Sequence, residues 1–223
     1  MKFSPIYLTI VFILLTTQLI AQDFTPNEIT NLDISTNQGD YIRSIDYDSD
    51  GDLDILQTGG TNSTELKVLI NDGAGNFSAQ VIKAYTQSIE IEIGDLDNDG
   101  DEDILVYSSN MPYDILENQS GTFADPVTTT ITGGILRLAD IVDVDGDGLN
   151  DIVTAVYNPN DIVWARNEGD FSFAPNEVLI SQIEYNSKRI NYFEILDIDN
   201  DNDLDAFVIT DGTGSTDLLY MTI

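Results

Sequence analysis

The chain has 223 residues, with 40 acidic and 8 basic side chains and a formal net charge of −32. A surface this negative repels the phosphates of nucleic acids and of anionic lipid headgroups, which excludes both as binding partners. The sequence contains no cysteine and no histidine, so disulfide bonds, thiolate nucleophiles and imidazole proton transfer are excluded as well.

The first 21 residues have the pattern of a secretory signal peptide. Lys2 precedes an apolar stretch from Ile6 to Ile20, and the small residue Ala21 follows it. We predict cleavage after Ala21, which leaves residues 22–223 as a domain that is secreted to the extracellular space or the periplasm. The stretch is shorter than the roughly twenty apolar residues of a membrane span, and no later segment is long enough to cross a membrane. An uncleaved membrane anchor is the alternative.

Four acidic loops follow, each with the pattern D-x-D-x-D-[G/N]-x-x-D and each leading into an apolar stretch typical of a β-strand. The loops are residues 46–54, 95–103, 143–151 and 197–205. Their first residues are 49, 48 and 54 positions apart. A pattern that recurs at such a period indicates one supersecondary unit repeated along the chain.

The spacing of the aspartates in each loop favours binding of a hard divalent cation. Alternate carboxylates in a tight turn point at one centre, and calcium accepts six to eight oxygen ligands in irregular geometry, whereas magnesium requires a near-ideal octahedron. The sixth residue is glycine in three loops and Asn202 in the fourth, which suits a left-handed turn. A solvated acidic turn without a metal is the alternative.

An EF-hand loop begins in the same way but differs at its end. It requires a bidentate acidic ligand at position twelve, and none of the four loops supplies one. The residues at that position are Gln57, Val106, Thr154 and Val208. The EF-hand interpretation is therefore excluded.

Strands and a glycine-rich turn complete each repeat. The residues after each loop are mostly β-branched or otherwise apolar, which favours strand over helix. Asparagine and glycine then mark turns that end in Phe77, Phe123 and Phe171, and these residue types supply the positive φ angles that hairpins need. We therefore predict an all-β fold of four repeats, each a four-stranded antiparallel sheet.

The aspartate loop, the apolar strand after it and the N-x-G-x-F turn recur together. In this combination the chain resembles the FG-GAP/VCBS class of calcium-binding β-propeller repeats, in particular bacterial secreted members, and the related repeats of integrin alpha-chain head domains. The resemblance covers nearly the whole chain after the signal peptide. It implies a β-propeller whose blades are the four repeats of about 50 residues, with one Ca²⁺ ion in each loop and about four in total.

The resemblance also implies a set of metal ligands. The side chains at loop positions one, three, five and nine would bind the ion, together with the main-chain carbonyl at position seven. The metal-site residues implied in this way are Asp46, Asp48, Asp50, Asp52, Asp54, Asp95, Asp97, Asp99, Asp101, Asp103, Asp143, Asp145, Asp147, Leu149, Asp151, Asp197, Asp199, Asp201, Asp203 and Asp205.

The two ends of the domain bear on whether its blades close into a ring. Residues 22–25 match the start of an outer strand, and residues 218–223 stop before a glycine-rich turn of their own. Pairing of the N-terminal strand with the last blade would close the ring and remove an exposed sheet edge. Similar propellers mostly have more blades, so we favour a partial propeller that is completed by missing C-terminal blades or by self-association.

The favoured function is a non-catalytic binding or adhesion module for an unidentified protein or glycan. Loops between the blades and tyrosine side chains would make the contacts, although each tyrosine taken singly is more often a packing residue. The candidate tyrosines are Tyr41, Tyr107, Tyr113, Tyr157 and Tyr192. A structural spacer, with calcium as its only ligand, is a second interpretation.

A propeller-fold polysaccharide lyase or glycosidase, or a fragment of one, is the alternative from a different class. Every conspicuous carboxylate pair belongs to an aspartate loop, and we predict no catalytic residue. Glu90 and Glu92 share one strand face by alternation, which we interpret as a solvated face.

Overall fold

Strands joined by turns make up the regular structure of this protein. The computed structural model describes residues 41–58, 64–108, 111–129, 131, 138–156, 160–181, 189–212 and 215–223. These residues form fifteen β-strands. Within the same ranges, no helix has the length and apolarity that a membrane crossing requires.

The strands form four antiparallel sheets, and each sheet follows the chain as a meander. Sheet 1 consists of β1 (Ile42–Ile45), β2 (Asp54–Thr58), β3 (Glu65–Asn71) and β4 (Phe77–Ala84). Sheet 2 consists of β5 (Glu90–Gly94), β6 (Asp103–Ser108), β7 (Met111–Leu116) and β8 (Val127–Thr128). Sheet 3 consists of β9 (Ala139–Val142), β10 (Asp151–Val156), β11 (Asp161–Ala165) and β12 (Glu177–Ile180). Sheet 4 consists of β13 (Arg189–Leu196), β14 (Asp205–Gly212) and β15 (Ser215–Thr222).

The prediction of an all-β fold built from four antiparallel repeats is confirmed. The first strands of consecutive sheets contact one another in the order β1, β5, β9 and β13, as in the blades of a propeller. No comparable contact joins β13 to β1 within the described ranges, so the blades seen there do not close a ring. Sheet 4 has three strands in those ranges. The N-terminal strand expected to complete it, and the predicted signal peptide at residues 1–21, lie outside the described residues.

The sheets are held together by three hydrophobic clusters, each between two consecutive sheets. Sheets 1 and 2 bury Ile45, Tyr47, Leu56, Leu66, Val68, Ile89, Ile91, Ile104, Val106 and Leu116. Sheets 2 and 3 bury Leu96, Leu105, Tyr107, Tyr113, Ile115, Ile131, Ile152 and Ala165. Sheets 3 and 4 bury Val153, Ala155, Ile162, Ile190, Phe193, Ile195, Ala206 and Val208.

Strand β6 shows why the second strand of a blade is apolar on both faces. All six of its residues are buried. Ile104 and Val106 point toward sheet 1, whereas Leu105 and Tyr107 point toward sheet 3, because side chains alternate along a strand. A run without polar alternation is therefore what a blade covered on both faces requires.

A buried hydrogen bond also joins sheets 2 and 3. The hydroxyl oxygens of Tyr113 and Thr154 lie 2.6 Å apart. Thr154 uses its only hydroxyl hydrogen on the carbonyl of Leu138 at 2.9 Å, so Tyr113 donates to Thr154. Tyr113 is 1% exposed. Of the candidate contact tyrosines, this one is therefore a packing residue of the blade interface.

We expect the Tyr113→Phe substitution to lower the free energy of unfolding by about 1 kcal/mol, the usual net contribution of a buried hydrogen bond. Chemical denaturation followed by tryptophan fluorescence would measure the change. Tyr192→Phe is the matched control, because it removes a hydroxyl that bonds Glu194 on the exposed side of β13. Its effect should stay within about 0.5 kcal/mol, as for most surface substitutions. Equal effects of the two substitutions would contradict the assignment.

The third glycine-rich turn ends two residues later than predicted. Asn167 pairs with Phe173, as Asn118 pairs with Phe123 in the second repeat. Phe171, which the sequence indicated as the last turn residue, lies inside the turn with φ of 56°. Gly169, Asp170 and Phe171 all have positive φ, and three consecutive residues of this kind lengthen the turn. The pattern F-S-F offers two phenylalanines, and only the paired strand decides between them.

Candidate metal centre

Each aspartate loop connects the first two strands of its sheet, and in sheets 1 to 3 the glycine-rich turn connects the third and fourth strands. In an antiparallel meander these two connections lie at the same end of the sheet. The loop and the turn of one repeat therefore share an edge, which brings residues far apart in sequence to a common site.

The backbone of each loop passes through the left-handed region at two positions. At position six φ is 92° in Gly51, 98° in Gly100, 93° in Gly148 and 74° in Asn202. The expectation of a left-handed sixth residue is confirmed. At position four φ is 58° in Ser49, 65° in Asn98, 73° in Gly146 and 60° in Asn200. This second reversal was not predicted, although asparagine and glycine at position four are a signal for it.

Backbone N–H groups hold one oxygen of the position-one carboxylate in every loop. The donor is the N–H of position six, at 3.1 Å to Asp46, 3.1 Å to Asp95, 2.9 Å to Asp143 and 3.1 Å to Asp197. In the same way, the N–H of position seven donates to the position-five carboxylates Asp50, Asp99, Asp147 and Asp201. These bonds orient the carboxylates before any ion binds.

The structure brings three carboxylates together in each loop, with one oxygen of every member within 4.8 Å of the others. The clusters are Asp46, Asp48 and Asp50; Asp95, Asp97 and Asp99; Asp143, Asp145 and Asp151; and Asp197, Asp199 and Asp205. Each of these clusters could hold a metal ion. The first two combine positions one, three and five, whereas the last two combine positions one, three and nine.

Other members of the predicted ligand set lie outside these clusters. They are Asp54 and Asp103 at position nine, Asp147 and Asp201 at position five, and Asp52, Asp101, Leu149 and Asp203 at position seven. Asp101 instead accepts a hydrogen bond from Ser120 at 2.9 Å, in the glycine-rich turn of its own repeat. Position seven was predicted to bind through its carbonyl, which does not require its side chain to join the cluster.

The aspartate at position nine joins the two ends of each loop. One of its oxygens accepts from the N–H of position two, and the other accepts from a donor in the second half of the repeat. The pairs of donors are Tyr47 and Asn71 for Asp54, Leu96 and Asn118 for Asp103, Val144 and Asn167 for Asp151, and Ile198 and Tyr220 for Asp205. The first three repeats use a main-chain N–H of the turn asparagine, and the fourth uses the Tyr220 hydroxyl.

The position-nine side chains are also among the most deeply buried polar groups of the described residues, at 0 to 2% exposure. Burial raises the pKa of Asp103 to about 7, although the N–H groups of Asn118 and Leu96 oppose the shift. Sequence reasoning identified position nine only as a metal ligand and missed its structural role. The turn asparagines were the available signal, because they recur at a constant place after each of the first three loops.

The donor set fits a hard cation. Oδ1 of Asp46 and Oδ1 of Asp48 are buried and have no hydrogen-bond partner among the described residues, and both belong to the first cluster. Desolvation, followed by the charge of Asp50, raises the pKa of Asp48. Buried anionic oxygens without a donor are costly, and a divalent cation between them would offset that cost.

A comparison with protein families agrees with this geometry. A family model described as FG-GAP-like repeat matches residues 46–106 and 143–208, which include all four aspartate loops and more than half of the chain. The chain belongs to the FG-GAP-like repeat family. A comparison with curated proteins gave no match.

The FG-GAP-like repeats of this chain contact one another through their loops. Asn167, in the third glycine-rich turn, donates from Nδ2 to the carbonyl of Leu96 in the second aspartate loop at 2.8 Å. The same nitrogen donates to the carbonyl of Asn150 at 2.8 Å, and Asn150 in turn donates to the carbonyl of Asp95 at 2.9 Å. The loops of repeats two and three are therefore one hydrogen-bonded unit.

We expect Asn167→Ala to lower the free energy of unfolding by about 2 kcal/mol, because it leaves buried carbonyls without donors. Thermal unfolding followed by circular dichroism would measure the loss. Asn118→Ala is a matched control at the equivalent position of repeat two. Asn118 is 1% exposed, but its side-chain amide atoms have no partner within the described ranges. The loss for Asn118→Ala should be clearly smaller, and an equal or larger loss would show that the bonds of Asn167 are not what matters.

Proposed function

We propose that this protein is a secreted, calcium-binding β-propeller repeat module that binds a protein or glycan without catalysis. The observation that carries the proposal is the repetition of one carboxylate arrangement in four loops, with buried oxygens that lack a donor in the first. A metal that recurs once per blade suits a structural role. It would stiffen the edge where the loops lie and leave the connecting loops free to contact a partner.

Calcium suits the loops better than magnesium does. The clusters differ in composition between the first two loops and the last two, and calcium tolerates such variation in ligand number and geometry. The ion would supply positive charge to oxygens that the backbone has already oriented. Even with four ions bound, the chain would remain strongly acidic, which favours a cationic or calcium-bridged partner over an anionic one.

The described structure offers no clear support for the enzyme alternative. The position-nine carboxylates are occupied by backbone or tyrosine donors, and Glu92 is held by Arg43. Proton transfer by a carboxylate requires a group that can reach a substrate, and these groups are engaged in holding the fold. We therefore keep the binding function as the proposal.

The proposal can be tested with a panel of immobilised glycans and extracellular proteins, in millimolar calcium and in a chelator. We expect calcium-dependent retention of the protein without release of reducing sugar or of unsaturated uronate from soluble polysaccharides. Turnover of any polysaccharide would favour the lyase or glycosidase. Mass spectrometry of the exported protein would test secretion, because residues 1–21 should be absent from it.

A further inference from the structure

A cavity of about 370 Å³ lies where the first strands of the four sheets converge. Residues of β1, β5, β9 and β13 line it, together with Tyr107 of β6 and with Tyr41 and Leu138, which precede β1 and β9. None of these lining residues belongs to an aspartate loop. The cavity is therefore separate from the candidate metal centres.

The charged groups of the lining include more carboxylate than cation. Arg43 of β1 bonds Glu92 of β5 with both ends of its guanidinium, at 3.1 Å from Nε and 3.0 Å from Nη2. Glu90 also lines the cavity and is 4% exposed. The lining thus contains two carboxylates and one guanidinium, and the guanidinium is committed to Glu92. The prediction of a solvated face for these two glutamates is wrong for Glu90, because the neighbouring repeats cover it.

Two further carboxylates add to the negative potential at the cavity. The pKa of Tyr192 is raised by burial first, and then by the charges of Glu194, Asp140 and Glu92. The pKa of Tyr107 is likewise raised by burial and then by Glu92 and Glu90. Each shift shows that the tyrosine hydroxyl lies in a field of negative charge, and such a field attracts cations.

Aromatic rings complete the lining. Tyr41, Tyr107, Tyr192 and Phe193 come from three different sheets. Tyr192 is 47% exposed, and Asn191 beside it is exposed, so the cavity opens to solvent along β13. Aromatic faces next to carboxylates are the combination that holds organic cations, since both attract a positive group and the rings also accept its apolar stem.

We propose that this cavity binds an organic cation, namely the ammonium or guanidinium group of a lysine or arginine side chain presented by a protein partner. The inference names a ligand class for the proposed binding function and rests on it. The acidic surface of the chain would attract a basic segment, and the cavity would select the side chain that enters. Tyr41, Tyr107 and Tyr192 thereby gain a role that the sequence suggested only in general terms.

The test is a calorimetric titration of the full chain in calcium with Nα-acetyl-lysine methylamide and Nα-acetyl-arginine methylamide. The matched neutral probes are the norleucine and citrulline analogues. We expect saturable binding of the two cations, binding of the neutral probes weaker by about tenfold or more, and affinity that falls as salt is added. Equal binding of the neutral probes, binding of methyl glycosides alone, or no binding of either cation would overturn the proposal.

Variants locate the site. Glu90→Gln should weaken cation binding by about tenfold, because it removes a lining charge with little change of shape. Tyr192→Leu, at the exposed mouth, should weaken it severalfold without affecting folding, so it serves if Glu90→Gln does not fold. Glu177→Gln, which removes an exposed charge of β12 outside this cavity, should have no effect. Unchanged affinity in Tyr192→Leu would also overturn the proposal.

The two proposals fail separately. Retention of the protein on glycans or proteins without any binding of the cation probes would refute the cavity assignment and leave the proposed function in place. Binding of the probes without retention on any macromolecule would confirm the cavity chemistry and refute the binding function.

Discussion

Removal of calcium is expected to lower the free energy of unfolding by about 6 kcal/mol, since a site filled at ten times its dissociation constant adds about 1.4 kcal/mol and there are four loops. For a domain of this size, such a loss corresponds to a fall of roughly 12–24 °C in the unfolding midpoint. The physical reason is the crowding of three carboxylates in each loop, with two buried oxygens of the first cluster left without a donor.

Scanning calorimetry at fixed ionic strength, in calcium and in a chelator, would measure the fall. Magnesium at the same concentration is the control and should restore little of the lost stability, because it prefers a strict octahedron and keeps its waters. A midpoint that does not depend on calcium would mean that the aspartates act only as a hydrogen-bonded turn. Full recovery in magnesium would contradict the choice of calcium.

Asp54→Ala is expected to cost about 3–5 kcal/mol, with or without calcium. Asp54 is fully buried and accepts hydrogen bonds from the N–H groups of Tyr47 at 2.9 Å and Asn71 at 2.7 Å. Its removal leaves two donors without an acceptor, and hydrogen bonds to a charged group contribute about 1.5–3 kcal/mol each. Urea denaturation in calcium and in a chelator would measure the loss.

Asp50→Ala provides the contrast within the same loop. Asp50 is exposed and accepts one bond, from the N–H of Asp52 at 2.9 Å, but it belongs to the first carboxylate cluster. Its substitution should therefore destabilise the protein in calcium and have little effect in a chelator. If Asp54→Ala were silent in the chelator, position nine would act through the metal alone, and its structural role would be refuted.

The sequence was most informative where a local pattern has a local cause. The left-handed position six follows from glycine or asparagine at that residue, and the strands after the loops follow from β-branched, apolar runs. The four repeats were visible because both signals recur together. These features need no knowledge of what packs against the repeat.

Features that depend on distant residues could not be predicted in this way. Asp54 bonds Asn71, which is 17 residues away, and that contact exists only once the sheet has formed. Glu90 looked solvated on its own strand, but neighbouring sheets bury it. Phe171 and Phe173 differ only in which of them pairs with Asn167 across the turn. In each case the missing information lies in the packing between elements.

The most direct test of calcium binding by the four loops is the number of ions bound per chain, measured by equilibrium dialysis of the purified protein against radioactive calcium. We predict saturation at about four ions, one for each carboxylate cluster. The double substitution of Asp46→Ala with Asp48→Ala should reduce the number by one and leave the others. Binding of no calcium, or an unchanged number in the double variant, would contradict the assignment.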